Sequence, residues 1–293
     1  MTNARMKKIG KIAGLTLAGI AVLALVMLLS LGHIVKFSLT SIAPKILDAP
    51  VKVDSVSVNV FSGVVDIRNL FIGNPVGYKN DRALTVKHIR VDIIPSTLTA
   101  DKLVVEEFTL DGVDVYFEPS ANLLSNNLSQ LNENVQNFQK KLGVEEKTAQ
   151  KKDDAGKPEK ETRLEVDDLN MNSIYVNVVA SAPGLPATEA PLPVVPINLE
   201  NLGKDNDGIT PLDLTAAILN KLTLGVFASI GDAFPSLRSI TNAGTAVLDK
   251  SAELLKGVGD LFKLPASTGS KAIMYRRWSK ITRKAVEKGL LVK

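Results

Sequence analysis

One short apolar pattern recurs five times between residues 51 and 178 and constrains the fold more than any other feature. Each copy has apolar residues at its first, third, sixth and eighth positions and a polar pair between the third and the sixth. The copies begin at Val51, Val65, Leu84, Leu103 and Leu164. The period-two alternation predicts β-strands with one buried face.

Each polar pair shifts the alternation by one residue. A β-bulge has this effect, because one extra residue keeps the apolar side chains on the same face. Bulges aligned across neighbouring strands would curl the sheet into a trough with an apolar concave side. The alternative is a tight turn at each pair. None of the pairs is Asn-Gly or Asp-Gly, the sequences typical of tight hairpins, and this favours the bulge.

A membrane anchor is predicted before the first strand. Residues 12–31 contain no charged residue, and as a helix they would span about 30 Å, the thickness of a bilayer's hydrocarbon core. A cleaved signal peptide is the alternative, but the nearest small-x-small site, Ser41-Ile42-Ala43, lies well beyond the apolar run and precedes Pro44. We therefore predict a transmembrane helix over residues 12–35.

Basic residues are concentrated at the two ends of the chain. Residues 1–11 carry four basic residues and no acidic one, which predicts a cytoplasmic tail with the rest of the chain across the membrane. Residues 271–293 carry eight basic residues and one acidic one. Since the sequence between them is acidic overall, no nucleic-acid partner is predicted.

The anchor and the strands that follow it resemble the AsmA-like family of bacterial envelope proteins. The residues that carry the resemblance are the strands within 56–72, the link Asn74-Pro75-Val76-Gly77-Tyr78 and the strands within 84–117. The resemblance extends over residues 1–120 and more loosely over 164–202. It implies a periplasmic sheet tethered to the inner membrane, with a curved groove that accommodates lipid. Six strands would span only about 30 Å, too short to bridge two membranes.

A helical and charged insert is predicted at residues 120–163. One apolar stripe in steps of three and four, typical of an amphipathic helix, consists of Leu124, Leu128, Leu131, Val135, Phe138 and Leu142. We expect this helix to pack on the sheet, although a short coiled coil or a plug in the trough are alternatives. Residues 145–163 are highly charged and are predicted to be a solvated linker.

The chain after the fifth copy is predicted to end the sheet and then become helical. An edge strand is expected at residues 195–199, after a proline-rich loop. Thr210, Pro211 and Asp213 are in the right order for a helix start, and residues 214–230 are almost entirely apolar. Lys221 in the middle of this run argues against a second span. Burial against the sheet or reversible seating at a membrane surface is favoured.

The carboxyl-terminal part contains two further predicted elements. Residues 240–262 form an amphipathic helical pattern. Within the basic segment that follows, the candidates for contact with an anionic membrane surface are Arg276, Arg277, Trp278, Arg283 and Lys284. A solvated tail is the alternative.

Sequence signals for catalysis are weak. The chain has no cysteine, and neither of its two histidines, His33 and His88, has a ligand or base partner at a useful spacing. The acidic pairs Glu106-Glu107 and Asp167-Asp168 are interpreted as solvated charges at the rim of the sheet. No enzyme activity, cofactor or metal is predicted, and a hydrolase built from scattered Ser and Asp residues ranks last.

The predicted class is α+β: a transmembrane helix, a curved, mostly antiparallel sheet of about six strands with amphipathic helices, and a helical carboxyl-terminal region. The predicted boundaries are 1–11, 12–35, 36–202 and 203–293. The leading hypothesis is a single-pass inner-membrane protein whose sheet binds lipid. The candidate groove residues are Val58, Ile67, Ile72, Val91, Leu110, Val115 and Met171. The alternative is a structural adaptor that docks another envelope protein through its helices or its open sheet edge.

Overall fold

A computed structural model describes residues 30–120, 125–149, 162–179, 190–204 and 207–234. Within these ranges seven strands form one open sheet. The strands are β1 Val51–Asn59, β2 Val64–Gly73, β3 Arg82–Ile93, β4 Lys102–Phe117, β5 Arg163–Val178, β6 Leu192–Val194 and β7 Ile197–Leu202. The helices are α1 (residues 30–41), α2 Ala43–Leu47, α3 Asn127–Ala149 and α4 Pro211–Ala233.

The sheet is mixed but mostly antiparallel, so the predicted α+β class is confirmed. Strands β1 to β4 pair antiparallel in chain order. Strand β5 runs parallel to β4, and both β6 and β7 pair antiparallel with β5. The parallel pair was not predicted. It is possible because the long connection that contains α3 can return the chain to the starting end of β4, which a tight turn cannot do.

The polar pairs shift the alternation in two ways. The register between β1 and β2, β2 and β3, and β4 and β5 is unchanged across the pairs, so an extra residue in one strand alone is the wrong form of the prediction there. Between β3 and β4 the register shifts at Asp92/Ile93, which leaves Glu106 of the fourth pair as an extra residue in β4 alone, as predicted. In the first three strands the extra residue lies at one level. The positions of that level are Asp54, Asn69 and Lys87, together with Gly112 and Ser173, which lie beyond the polar pairs of the fourth and fifth copies.

Left-handed residues mark this level, which we call the kink row. Asn69, Gly112 and Ser173 have φ of 52°, 68° and 50°. A residue in the left-handed region turns the side chains that follow it to the other side of the strand. Leu110 and Val113, on either side of the row, are accordingly both buried, 6% and 1% exposed. The predicted effect of a polar pair is confirmed at the fifth copy, where Val166 and Leu169 on either side of the pair are both 0% exposed. The strands run through the polar pairs, so the tight-turn alternative is wrong. The curl of the sheet stays a prediction.

Replacing Gly112 by alanine is expected to lower the free energy of unfolding by about 1–2 kcal/mol, because L-residues are strained at positive φ. A Cβ there would also lie 3.0 Å from the Cβ of Lys87. Ser173→Gly, in the same row, is the control and is expected to be neutral or slightly stabilising. Urea unfolding of the full chain in detergent, followed by circular dichroism, measures both. A Gly112→Ala variant as stable as the parent would contradict this explanation of the kink.

The helices begin where the sequence patterns place them. Thr210 and Asp213 form a capping box at the start of α4, with Pro211 in its first turn, as predicted. The amphipathic stripe is helical over α3, except that Leu124 lies outside the described residues. The described chain before β1 is helical on both sides of Ile42, which separates α1 from α2. Two side-chain contacts, Asn132 with Asn220 and Gln139 with Asp213, show that α3 and α4 run antiparallel.

One hydrophobic core joins the sheet to its helices. Leu128, Leu131 and Val135 of α3 are fully buried in the same cluster as the apolar face of the sheet. Helix α4 packs against β5, β6 and β7, and its Phe227 meets Phe117 of β4 edge to face with ring centroids 5.8 Å apart. Burial of α4 against the sheet was one of the two favoured predictions.

Several predicted elements lie outside the described residues: the tail 1–11, most of the anchor, the centre of the charged linker, the helix 240–262 and the five membrane-surface candidates. Among the described residues, α4 is long and apolar enough to cross a membrane, but 67% of its most apolar window is buried in the protein. It is a core helix of the fold as described.

Candidate functional site

The seven candidate groove residues lie on one face of the sheet. They occupy three rows that run across the strands, because residues on neighbouring strands stay in register. One row contains Ile67, Leu110 and Met171, with Ile89 between the first two. Another contains Ile72 and Val115, joined through Leu84, and the third contains Val58 and Val91, joined through Val65.

Most of these residues are core residues. Val115 and Met171 are 0% exposed, and the other three in the first two rows, Ile67, Ile72 and Leu110, are 6–8% exposed. Helix α4 covers the β5 side of this face, and the buried stripe of α3 belongs to the same cluster. Side chains of the protein therefore fill the apolar face at these positions.

The third row is only partly covered. Val58, Val65, Val91 and Phe108 are direct register partners across β1 to β4 and are all partly exposed. We call these four residues the open patch. The same row continues across β5 and β7, where its side chains are buried beside α4. Partly exposed residues also border the patch, namely Val56, Ile93 and Leu103.

Two of the four residues of the open patch, Val65 and Phe108, were not among the sequence candidates. Both belong to the recurring pattern, Val65 as the first position of its copy and Phe108 as the sixth. The pattern therefore placed them on the correct face. The pattern could not show which rows of that face the helices leave uncovered, because this depends on where α4 packs.

The opposite end of the sheet is closed by a buried polar network. The carboxylate of Glu118, 1% exposed, accepts hydrogen bonds from the backbone N–H of Lys79 (2.7 Å) and of Asn80 (2.9 Å). The Asn127 side chain donates to Asn74 Oδ1 and to the Tyr116 carbonyl, and its Oδ1 accepts from the Glu118 N–H. These bonds hold the link that follows β2 in place. No sequence pattern indicated that Glu118 would be buried.

Tyr78 is a partly buried titratable residue in the same link. Burial raises the pKa of the Tyr78 hydroxyl. A hydrogen bond with Ser125 lowers it, and the carboxylates of Glu133 and Glu118 raise it. The hydroxyl therefore stays protonated at neutral pH. Its role is to pack the link onto the start of α3.

The outer face of the sheet is polar and ion-paired. His88 contacts the Asp66 carboxylate, and Arg90 bridges Asp66 (3.7 Å) and Asp92 (2.8 Å). No group of three or more His, Asp and Glu side chains in the described part of the chain could hold a metal ion. His88, interpreted from the sequence as having no partner, thus has a carboxylate partner from the neighbouring strand. The pair lies on the outer face of the sheet with both side chains partly exposed, and ion pairs at exposed surfaces are a common structural feature.

These features define an α+β protein with an open sheet, an apolar face largely filled by helices and one partly exposed apolar row. Comparisons of the chain with protein-family models, curated proteins and solved structures find no match. The resemblance to the AsmA-like family therefore stays a prediction.

Proposed function

We propose that the protein is a single-pass envelope protein of the bacterial inner membrane whose open patch binds a lipid acyl chain. In this proposal residues 12–35 are the anchor, the amino terminus is cytoplasmic and the sheet is periplasmic. The protein handles lipid without catalysis, cofactor or metal. The basic residues near Trp278 contact anionic headgroups.

The observation that supports lipid binding best is the open patch itself. Four apolar side chains in direct register are left partly exposed on a face that is buried over most of its other rows. Contiguous exposed apolar surface of this kind marks a site of interaction with an apolar partner. Together with the apolar residues at its border, the patch is continuous with the core, so a bound chain would lie against packed side chains instead of water.

The dimensions of the patch favour one acyl chain over a conduit. Four neighbouring strands span about 15 Å from the first to the last, which is about half the hydrocarbon thickness of a bilayer and so the length of one chain. The buried rows beside it leave no continuous apolar channel along the described part of the sheet. The proposed activity is therefore local lipid binding and envelope lipid homeostasis.

Photo-crosslinking tests this proposal. We expect a benzophenone amino acid at Val58 to capture lipid in membranes, detected by mass spectrometry of the purified adduct. Ser57 is the matched control, since it is the next residue of the same strand, is exposed and points to the outer face. Equal lipid capture at both positions, or none at Val58, would rule out binding at the open patch.

A structural adaptor is the second candidate. The observation that favours it is the filled interior: five of the seven candidate groove residues are 0–8% exposed, as in an ordinary core. An adaptor would dock another envelope protein through its helices or through an open edge of the sheet. A dominant protein adduct at Val58, or at exposed positions of α3, would favour this function over lipid binding.

A further inference from the structure

The turn between β1 and β2 holds a large apolar side chain out in solvent. Phe61 is 84% exposed. The Asn59 side chain accepts hydrogen bonds from the backbone N–H of Phe61 and of Ser62, so the turn is ordered with Phe61 at its tip. An ordered turn that presents a fully exposed phenylalanine has no role in the core of this protein. No side chain in the described part of the chain buries it.

A second connection lies against this turn. Gly63 accepts a hydrogen bond from the Ile93 N–H (2.9 Å), and its backbone approaches so closely that a Cβ would meet the Ile93 carbonyl oxygen. The link that follows β3 exposes Leu98 (45%). We call the segments 59–63 and 94–100 the tip. Its two exposed apolar side chains lie at the end of the sheet next to the open patch.

The tip carries no charge. Residues 55–65 and 93–100 contain no Asp, Glu, Lys, Arg or His. The link at the opposite end, by contrast, contains Lys79, Asp81 and Arg82, beside the buried Glu118. Bringing the tip against a bilayer would therefore desolvate no ionised side chain of these two segments, although Asp101 and Lys102 follow the second segment directly. The link at the opposite end would desolvate several of its own charged side chains.

The path of α1 shows at which end the chain enters the fold. Gly32 lies against the backbone of Val56, where a Cβ would be 2.7 Å from the carbonyl oxygen. One turn later Lys36 Nζ donates to the Asp54 carbonyl (2.7 Å). The helix thus ascends along β1 away from the tip as the residue number rises. By covalent continuity, the residues that precede α1 join it from the tip end.

Two large apolar side chains of α1 are exposed near that end. They are Ile34 and Phe37, which are 55% and 67% exposed. The uncharged run 12–31 leads directly into this helix. The described start of α1, its exposed apolar side chains and the tip are therefore all at one end of the sheet.

We propose that the tip inserts into the outer leaflet of the inner membrane, with Phe61 and Leu98 among the lipid headgroups and acyl chains. The partner is the lipid surface itself. Aromatic and leucine side chains are the residues that partition best at this depth. The inference rests on the proposed anchor but not on lipid binding by the open patch, which this contact would place directly above the bilayer surface.

Tryptophan quenching in vesicles tests the contact. The chain has a single tryptophan, so Trp278→Phe gives a background into which Phe61→Trp or Val76→Trp is introduced. Val76 is the matched control, because it is 96% exposed in the link at the opposite end. The full chain is reconstituted into phosphatidylcholine vesicles that contain lipid with brominated acyl chains.

We expect quenching at Phe61→Trp to be at least about threefold stronger than at Val76→Trp. Equal quenching at the two positions, or none at Phe61→Trp, would overturn the contact. An alkaline carbonate wash of the membranes tests the anchor separately from the tip contact. Retention of the protein in the membrane supports the anchor, and its release overturns both the anchor and the contact. Lipid capture at Val58 is measured independently, so loss of that result alone would leave the contact standing.

Discussion

Glu118→Ala is expected to lower the free energy of unfolding by about 3 kcal/mol, among the largest effects of any single replacement in the described part of the protein. The carboxylate accepts from two backbone N–H groups, of Lys79 and Asn80, and is 1% exposed. Alanine cannot accept a hydrogen bond from either N–H group, so both donors would lose their acceptor at this buried site. The measurement is urea unfolding of the full chain in detergent.

Amide hydrogen exchange gives a local measurement of the same effect. In the Glu118→Ala variant we expect the amides of Lys79 and Asn80 to lose protection, while the amides of the β3–β4 ladder keep theirs under conditions where the protein stays folded. Glu118→Gln is expected to fall between parent and alanine, because its amide oxygen still accepts one hydrogen bond.

Glu107→Ala is the control for removing a carboxylate from β4. Glu107 is exposed and accepts a side-chain hydrogen bond from Thr109, so its loss should change stability by no more than about 0.5 kcal/mol. Similar losses for Glu118→Ala and Glu107→Ala would contradict the view that the buried network closes this end of the sheet.

The strand pattern could be predicted because it is a local property of the chain. An apolar residue at every second position, with a one-residue shift at each polar pair, determines which side chains share a face. Val53 and Val56, for example, are correctly placed on the same face. The form of the shift could not be predicted, because a one-sided bulge and a row of left-handed residues leave the same alternation within one strand. Only the neighbouring strand distinguishes them.

The parallel pairing of β5 and the coverage of the apolar face are non-local. The fifth copy has the same pattern as the antiparallel copies, so nothing in it specifies the direction of β5. Val91 and Met171 likewise have similar sequence contexts, yet Met171 is 0% exposed and Val91 is partly exposed. The difference arises from where α4 packs, and the apolar run of α4 does not specify its docking position. The sequence therefore predicted the correct face of the sheet for the candidate site but not the row that is left uncovered.

The contact between Asn132 and Asn220 is also non-local, and the sequence pattern could not predict it. Asn132 is not part of the apolar stripe of α3, and Asn220 interrupts the apolar run of α4. The two are 1% and 0% exposed, and the Asn132 amide donates to Asn220 Oδ1 across the α3–α4 interface. Three buried polar atoms at this contact, Asn132 Oδ1, Asn220 Nδ2 and Gln136 Nε2, have no hydrogen-bond partner among the described residues. The pair is thus only half satisfied.

Asn220→Leu alone is expected to lower the free energy of unfolding by about 2 kcal/mol, because it leaves the buried Asn132 amide without its acceptor. Asn132→Leu together with Asn220→Leu is expected to restore the parent stability or exceed it, since both desolvated amides are replaced by apolar groups of similar volume. The expected coupling between the two sites is therefore about 2 kcal/mol or more. Urea unfolding of the parent, both single variants and the double variant in detergent completes the cycle.

Asn137→Leu is the control, because Asn137 is an exposed asparagine on the same helix. Its replacement should change the free energy of unfolding by no more than about 0.5 kcal/mol. A double variant less stable than either single variant would contradict the prediction, because it would mean that the amide pair contributes net stability. If the double variant is as stable as the parent, the role of the Asn132–Asn220 contact is not to stabilise the fold.

A single buried polar contact can determine the alignment of two helices at a cost in stability. Here it would determine how α3 and α4 cover the sheet. The rows left exposed, including the open patch, depend on that alignment.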